Sequence, residues 1–545
     1  MALARTHSVA LVGVHGHLVE VEADIANGLV GMVLVGLPDT ALREARDRIR
    51  AAILNSGEQW PQRRITVGLS PASLPKRGSG FDLAIAVALL AAAGVVKPAA
   101  LAGAMFLGEL GLDGQLRPVC GVLPAAVAAA AAGFRDVVVA RANAQEAALV
   151  PGLRVLSAPS LAALLAWLRG EPPTGGPAVQ ELAGGTITSL SDMAPAALGT
   201  PPAGPGTPPA APGASAGDRA ASRALSPDLS DVLGQPVARR AAEICAAGGH
   251  HLSLLGPPGA GKTMLAERLP TILPRLGAEA ALEVTSIHSV AGTLPEDRPL
   301  LTGPPFCGPH HTATKAAIVG GGSGIIRPGA ASLAHRGVLF LDEAPEFGRD
   351  VLDALRQPLE SGEVVIARSG VTARFPARFT LVLAANPCPC AKAAASPRTA
   401  CSCSPTTKRR YLGRLSGPLL DRVDVKVELL PVGRAELLND RKFAETSAAV
   451  AARVAQARDR AAQRLAGTPW RLNAEVPGSE LRRSYTPSRG ALAPLERAME
   501  LGEISARGVD KVVRVSWTLA DLAGRDRPTI DECGYALGLW LGVVK

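Results

Sequence analysis

The stretch Gly-Pro-Pro-Gly-Ala-Gly-Lys-Thr, residues 256–263, constrains the fold of this chain more than any other segment. It satisfies the pattern G-x-x-x-x-G-K-[S/T] and lies between an apolar run at 250–255 and a helix-like run that starts at Met264. A glycine-rich loop in this setting points backbone N–H groups at phosphate oxygens, and the helix N-terminus adds positive potential. We therefore predict an α/β domain that binds a nucleotide, with a chance glycine–proline turn as the alternative.

The residues of this loop have predicted roles in binding ATP and Mg²⁺. Lys262 would reach the β- and γ-phosphates, and the hydroxyl of Thr263 would ligate Mg²⁺. The backbone of the other loop residues would surround the phosphates: Gly256, Pro257, Pro258, Gly259, Ala260 and Gly261.

Two further apolar runs end in side chains suited to hydrolysis. The run at 338–341 precedes Asp342 and Glu343, and the run at 381–385 precedes Asn386. We expect Asp342 to hold the Mg²⁺ shell through water, Glu343 to polarise the attacking water, and the Asn386 amide to orient it. Two arginines are candidates to neutralise charge on the γ-phosphate, with a structural ion pair as the alternative for each: Arg422 and Arg514.

The chain has 545 residues, more than one core of roughly 100–200 residues accommodates. Composition changes at Glu171, and we predict a mixed α/β unit at 1–170, a flexible Pro/Gly/Ala-rich linker at 171–224, the nucleotide-binding unit at 225–432 and a helical unit at 433–545. The net charge of +9 fits either a polyanionic partner or an ordinary solvated surface. Without an apolar span or a signal peptide, we expect a cytoplasmic protein with no membrane partner.

Several longer blocks resemble the magnesium-chelatase-like AAA+ family and, within it, the ComM/YifB family. They lie at 309–312, 320–322, 328–329, 334–343, 355–360 and 386–390. The resemblance implies a P-loop AAA+ domain followed by a helical lid. It also implies that Asn386 is sensor 1, that Arg422 is a finger offered to a neighbouring subunit, and that Arg514 is sensor 2. A finger acting on a neighbour implies a homo-oligomeric ring, a hexamer.

The resemblance further implies an ATP-driven motor that acts on single-stranded, forked or junction DNA. Its activity would be helicase or branch migration in recombination, during integration of transforming DNA. The alternative is a magnesium-chelatase-type motor subunit that drives metal insertion into a porphyrin. We expect the N-terminal domain and a four-cysteine loop to argue against that alternative.

The N-terminal unit resembles a Lon-protease-like domain in the blocks 71–76 and 81–86. A peptidase of this kind needs a nucleophilic serine and a lysine that activates it. We read neither in the chain: where the protease motif would place its serine after Lys-x-Gly, this chain has Ser79-Gly80-Phe81-Asp82, and the region expected to carry the lysine reads Cys-Gly-Val-Leu-Pro at 120–124. A shifted alignment would select Ser79 as nucleophile. We predict a noncatalytic domain that serves ring assembly or DNA engagement.

Four cysteines lie within residues 388–403: Cys388, Cys390, Cys401 and Cys403. Four thiolates suit tetrahedral Zn²⁺, although the C-x-C spacing is tighter than the usual C-x₂₋₄-C. Free or redox-active thiols are the alternative.

The segment 363–375 looks like two strands about a Ser-Gly turn. In related ring helicases a hairpin at this place projects into the channel. We therefore predict that Arg368 and Arg374 contact the DNA backbone, and that Lys408 and Arg409 beside the cysteines add phosphate contacts. A solvated surface is the alternative for both groups. Because aromatic residues are only 3% of the chain, base stacking is not expected to be the main grip.

Overall fold

The computed structural model describes residues 2–36, 40–172, 177–185, 227–295, 298–322, 326–368, 371–390, 401–433, 440 and 444–544. The predicted linker at 171–224 lies mostly outside these residues. Four of its residues, Gln180–Ala183, form a strand that pairs antiparallel with Arg154–Ala158. These residues belong to a sheet because their backbone extends its edge, although their neighbours are rich in proline and glycine.

The N-terminal unit is built on an eight-stranded mixed sheet with the order β10-β9-β8-β5-β1-β2-β4-β3, and β6 pairs with β7 separately. Its strands are β1 Ala2–Val12, β2 His15–Ala26, β3 Gly31–Val35, β4 Arg64–Ser70, β5 Ala104–Phe106, β6 Glu109–Leu110, β7 Leu116–Arg117, β8 Asp136–Ala140, β9 Arg154–Ala158 and β10 Gln180–Ala183.

The helix Asp82–Ala92 is the central helix of this unit, and all of its residues are buried. Its nearly continuous apolar sequence explains this burial, and its one charged residue, Asp82, is paired with Arg48 at 2.9 Å. The other helices are Thr40–Asn55, Val122–Ala131, Ala144–Ala147 and Leu161–Arg169.

The middle unit contains a five-stranded parallel sheet with the order β12-β13-β16-β11-β17. These strands are β11 Leu252–Leu255, β12 Phe306–Cys307, β13 Val338–Leu341, β16 Thr380–Ala385 and β17 Val425–Glu428. A separate antiparallel hairpin consists of β14 Glu363–Arg368 and β15 Val371–Pro376. The predicted mixed α/β organisation is confirmed, and the structure shows that the sheet beside the glycine-rich loop is parallel.

Helices flank this sheet. In the C-terminal unit, the regular secondary structure of the described residues is helical. Those of the middle unit are Pro236–Gly248, Lys262–Ile272, Ala278–Ala291, Lys315–Val319, Ala330–Leu333, Arg349–Ala354, Arg356–Ser361, Pro405–Leu412 and Gly417–Leu420. Those of the C-terminal unit are Ser447–Arg464, Gly478–Arg483, Arg489–Glu500, Ala506–Ala523 and Ile530–Leu541. Within the described part of the chain, no helix has both the length and the apolar character that crossing a membrane requires.

The N-terminal and middle units are packed against each other. The buried carboxylate of Glu146 accepts hydrogen bonds from Leu123 N at 2.8 Å and from the hydroxyl of Ser289. The N–H of Gly121 donates to the carbonyl of Ser289 at 3.1 Å. The turn between β1 and β2 also meets the hairpin so closely that a Cβ on Gly13 would lie 2.4 Å from the carbonyl oxygen of Arg374.

Candidate functional site

The glycine-rich loop follows β11 in the interior of the parallel sheet and leads directly into the helix Lys262–Ile272. Gly259 and Gly261 have φ of 77° and 90°, a left-handed conformation that glycine adopts without strain. The loop is anchored to the neighbouring strand because Gly256 N donates to Ala385 O at 3.1 Å. The loop therefore lies at the carboxyl edge of the sheet, where α/β domains bind their ligands.

Lys262 connects this loop to the end of the next strand. Its ammonium donates to Gly256 O at 2.7 Å, to Pro257 O at 3.0 Å and to Asn386 Oδ1 at 3.0 Å. Burial lowers the pKa of Lys262, and the charges of Asp342 and Glu343 oppose this shift. Three neutral oxygen atoms around one ammonium group, at the N-terminus of an eleven-residue helix, fit the exchange of some of them for phosphate oxygens.

Thr263 and the two acidic residues form the second half of the site. The hydroxyl of Thr263 donates to Asp342 Oδ2 at 2.7 Å, and Glu343 N donates to Asp342 Oδ1 at 2.9 Å. A hydroxyl and a carboxylate are hard oxygen ligands of the kind that Mg²⁺ prefers. Glu343 has φ of 50°, a left-handed backbone conformation that is strained for a residue other than glycine.

His311 contacts this strained glutamate, a contact that was not predicted from the sequence. Its Nδ1 lies 3.2 Å from Glu343 Oε2. The histidine follows β12, which neighbours β13, so both residues come from the carboxyl ends of adjacent strands. The order of these two strands could not be read from the sequence, although the His-His pair was visible in it.

The structure does not bring Arg422 or Arg514 to the loop. Arg422 is buried, and its guanidinium donates to Glu360 and to the carbonyl of Pro418. Arg514 lies within the C-terminal helices, where its Nε donates to Val476 O at 2.7 Å. Among the described residues, no recorded hydrogen bond or ion pair joins either arginine to residues 256–263.

A buried polar cluster, which was not predicted from the sequence, joins the C-terminal helices to the base of β11. Lys511 pairs with Asp424 at 2.7 Å, and Asp424 accepts from His251 N at 2.9 Å. His250 is fully buried, and its Nε2 lies 2.7 Å from the hydroxyl of Thr518. Burial lowers the pKa of His250 to about 4, while the charge of Asp424 opposes the shift.

The four cysteines of the loop after β16 converge. The sulfur atoms of Cys388, Cys390, Cys401 and Cys403 all lie within 4.8 Å of one another. Cys388 Sγ is 3.0 Å from Cys390 Sγ and 3.2 Å from Cys401 Sγ. This donor set is suited to a soft, tetrahedral metal ion.

The predicted DNA-contacting residues lie in two places. On the hairpin, Arg374 pairs across the ribbon with Val365, whereas Arg368 shares the face of Val364 and Ile366. The two arginines therefore lie on opposite faces of the ribbon. Lys408 and Arg409 lie on the helix Pro405–Leu412, beside the cysteines.

One face of the hairpin is buried at Ala373 and Phe375, although Arg368 on the same face is exposed. The buried part packs against Val290 and Ile326 of the same unit and against the first turn of the N-terminal unit. The hairpin is thus held by the N-terminal unit along one face.

In the N-terminal unit, the hydroxyl of Ser79 donates to the carboxylate of Glu109. The ammonium of the fully buried Lys76 donates to the carbonyl of Pro71, and burial lowers its pKa. The Ser79 hydroxyl is thus bonded to a carboxylate, whereas a serine–lysine peptidase requires a lysine beside its serine.

Three family models match the chain, one in each unit. The one described as "Magnesium chelatase, subunit ChlI" matches residues 228–437. "Subunit ChlI of Mg-chelatase" matches residues 21–143, and "Magnesium chelatase, subunit ChlI C-terminal" matches residues 444–539.

Similarity to whole proteins extends over nearly the full chain. An uncharacterized protein of Mycobacterium tuberculosis is 51% identical over 539 residues, which is 98% of both chains. The competence protein ComM of Haemophilus influenzae is 40% identical over 540 residues, covering 99% of this chain and 97% of the relative. The uncharacterized protein YifB of Escherichia coli is 40% identical over 528 residues, covering 96% and 94%.

Proposed function

Because the chain belongs to the magnesium-chelatase-like ComM/YifB family, we propose that it is a ring-forming AAA+ ATPase that drives branch migration of DNA. The observation that carries the proposal is the convergence of Lys262, Thr263, Asp342 and Asn386 at one edge of the parallel sheet. The name of the ComM relative supports a role in competence, the uptake and integration of DNA.

The site residues would divide the work of hydrolysis. Lys262 and the loop N–H groups would bind the phosphates of ATP, and Thr263 and Asp342 would hold Mg²⁺, which supplies positive charge to the phosphates. Glu343 would polarise the attacking water, and Asn386 would orient it.

Two arginines would act at the borders of the site. Arg422 would serve a neighbouring subunit of a hexamer after leaving Glu360, the carboxylate to which it donates in this structure. Arg514 would act from the helical lid once the lid closes. The N-terminal unit would be a noncatalytic, Lon-protease-like domain that positions the hairpin.

A magnesium-chelatase-type motor subunit is the competing function. We expected from the sequence that the N-terminal unit would argue against this alternative. A family model with the chelatase description matches residues 21–143, so the N-terminal unit does not distinguish the two functions. Similarity to ComM over 99% of the chain favours the DNA motor. Zn²⁺ at the four-cysteine cluster is also part of the proposal.

The test uses the purified full chain with ATP and a synthetic four-way junction. We expect forked DNA to stimulate ATP hydrolysis and the junction strands to exchange in the presence of ATP. The Lys262→Ala protein should do neither. ATP hydrolysis that ignores DNA, with no strand exchange, would overturn the proposal.

A further inference from the structure

The four-cysteine cluster lies between two elements that the chain keeps separate in sequence. Cys388 and Cys390 come just after Asn386, at the end of β16. Cys401 and Cys403 come just before Ser404, whose side chain caps the basic helix Pro405–Leu412 by accepting from Thr407 N at 3.2 Å. A metal ion bound by both pairs of sulfur atoms would therefore join the end of β16 to the start of this helix.

The sulfur separations fit one tetrahedral ion. Four thiolates about 2.3 Å from Zn²⁺ lie about 3.8 Å from one another. The observed separations include 3.0 and 3.2 Å, and all are within 4.8 Å, so small side-chain rotations suffice. Cys388 is 2% exposed, which shields one side of the cluster from water.

The segment that follows the basic helix contacts the turn that comes after Glu343. Arg414, just beyond the end of this helix, donates to Glu346 Oε2 at 3.0 Å and to Pro345 O at 3.3 Å. These two residues belong to the turn Ala344–Glu346, which directly follows Glu343. Tyr411 is buried on the same helix, and burial together with the charges of Glu346 and Glu343 raises its pKa to about 12.

We propose that the four cysteines bind one Zn²⁺ that fixes the basic helix to the end of β16, so that phosphate contacts on this helix reach Asn386 and Glu343. Four thiols would release four protons as they bind the ion, leaving a tetrathiolate with a net charge of −2. The cations that would meet DNA phosphates are Lys408, Arg409 and Arg410, of which the last two are exposed. The metal site stands on geometry alone, whereas the coupling rests on the proposed DNA motor.

The metal site is tested by elemental analysis of the full chain purified with a reductant and no added metal. We expect about one zinc per chain, replaceable by Co²⁺ with the visible absorption of a tetrahedral thiolate complex. The double variant Cys401→Ser/Cys403→Ser should lose the ion, and Cys120→Ser, an exposed cysteine outside the cluster, should keep it. A metal-free wild-type protein, or one whose cluster thiols are paired in disulfides, would overturn the site.

The coupling is tested by ATP hydrolysis with and without forked DNA. The zinc-free double variant and the triple variant Lys408→Ala/Arg409→Ala/Arg410→Ala should both keep DNA-independent turnover within about twofold and lose most DNA stimulation. Removing zinc from the wild type with a chelator, and then restoring it, should reproduce this loss and its reversal, which excludes misfolding of the variant. Full DNA stimulation without zinc would overturn the coupling. A wild-type protein that binds zinc but is never stimulated by DNA would instead overturn the proposed motor and, with it, the coupling.

Discussion

The ammonium of Lys262 lies 3.0 Å from Oδ1 of Asn386, although 124 positions separate the two residues in the chain. They meet because β11 and β16 are parallel neighbours, and each residue follows the carboxyl end of one of these strands. A ligand that displaces Asn386 from Lys262 would therefore alter the ends of both strands at once.

Replacing Lys262 with alanine should remove ATP hydrolysis and keep the fold. The variant loses the charged donor that, in the proposed site, would bind the phosphates of ATP, and the loss of one donor of this kind lowers kcat roughly 10²–10³-fold. Steady-state phosphate release measures this effect, and far-UV circular dichroism checks the fold. Lys97→Ala, at an exposed lysine of the N-terminal unit, is the matched control. Unchanged turnover in Lys262→Ala would refute the assignment.

The Glu343→Gln protein should bind ATP but hydrolyse it slowly. The amide cannot accept a proton from water, while Thr263 and Asp342 remain in place to hold Mg²⁺. Nucleotide retained after gel filtration, together with single-turnover kinetics, separates binding from hydrolysis. Glu267→Gln is the control and should behave as wild type, because Glu267 is exposed on the helix Lys262–Ile272. A normal kcat in Glu343→Gln would assign the role of base to another residue.

Arg422 should act on a neighbouring subunit. Arg422→Ala should lower kcat by roughly 10³-fold or more, as loss of an arginine finger does in GTP hydrolases. Mixing this protein with Lys262→Ala creates interfaces that combine an intact loop with an intact arginine, so part of the activity should return. Mixing Arg422→Ala with the double variant Lys262→Ala/Arg422→Ala should restore nothing. If the first mixture also stays inactive, Arg422 only supports its own subunit through Glu360.

Stability should fall as the pH drops below about 6.5 because of His250. Its pKa is about 4 in the folded protein, so the unfolded chain takes up the proton first, and the free energy of unfolding falls as the pH decreases from the unfolded towards the folded pKa. The effect is about 1.4 kcal/mol per pH unit. Scanning calorimetry between pH 7 and 5 should show a steeper decrease of Tm in the wild type than in His250→Gln. Equal slopes would show that this histidine does not carry the acid sensitivity.

Arg368 and Arg374 should contribute independently to DNA binding. Since they lie on opposite faces of the hairpin, they would reach different phosphates. The negative slope of log K against log salt should therefore become shallower by about one in each alanine variant, and by about two in the double variant. ATP hydrolysis without DNA should persist. Arg349→Ala, with a side chain that is 81% exposed, is the control. If the double variant keeps the wild-type slope, the helix with Lys408 becomes the leading DNA contact.

The parts of the site that are local in sequence were predictable. The loop at 256–263 is one uninterrupted motif, and Asp342, Glu343 and Asn386 each follow an apolar run that had to be a buried strand. Contacts between distant segments were not predictable. The contact of His311 with Glu343 depends on strand order, and the ion pair of Lys511 with Asp424 depends on helix packing. The strand Gln180–Ala183 was missed for a related reason, since an edge strand is defined by its neighbour.

The burial of Phe375 has a practical consequence for deletion experiments. This side chain and Ala373 are covered in part by Val12 and Val14, which come from the first turn of the chain. A truncated protein that starts near residue 227 would uncover an apolar patch on the hairpin and would tend to self-associate. Point substitutions in the intact chain, or co-expression of the two parts, are therefore the sounder way to separate the role of the N-terminal unit from that of the proposed motor.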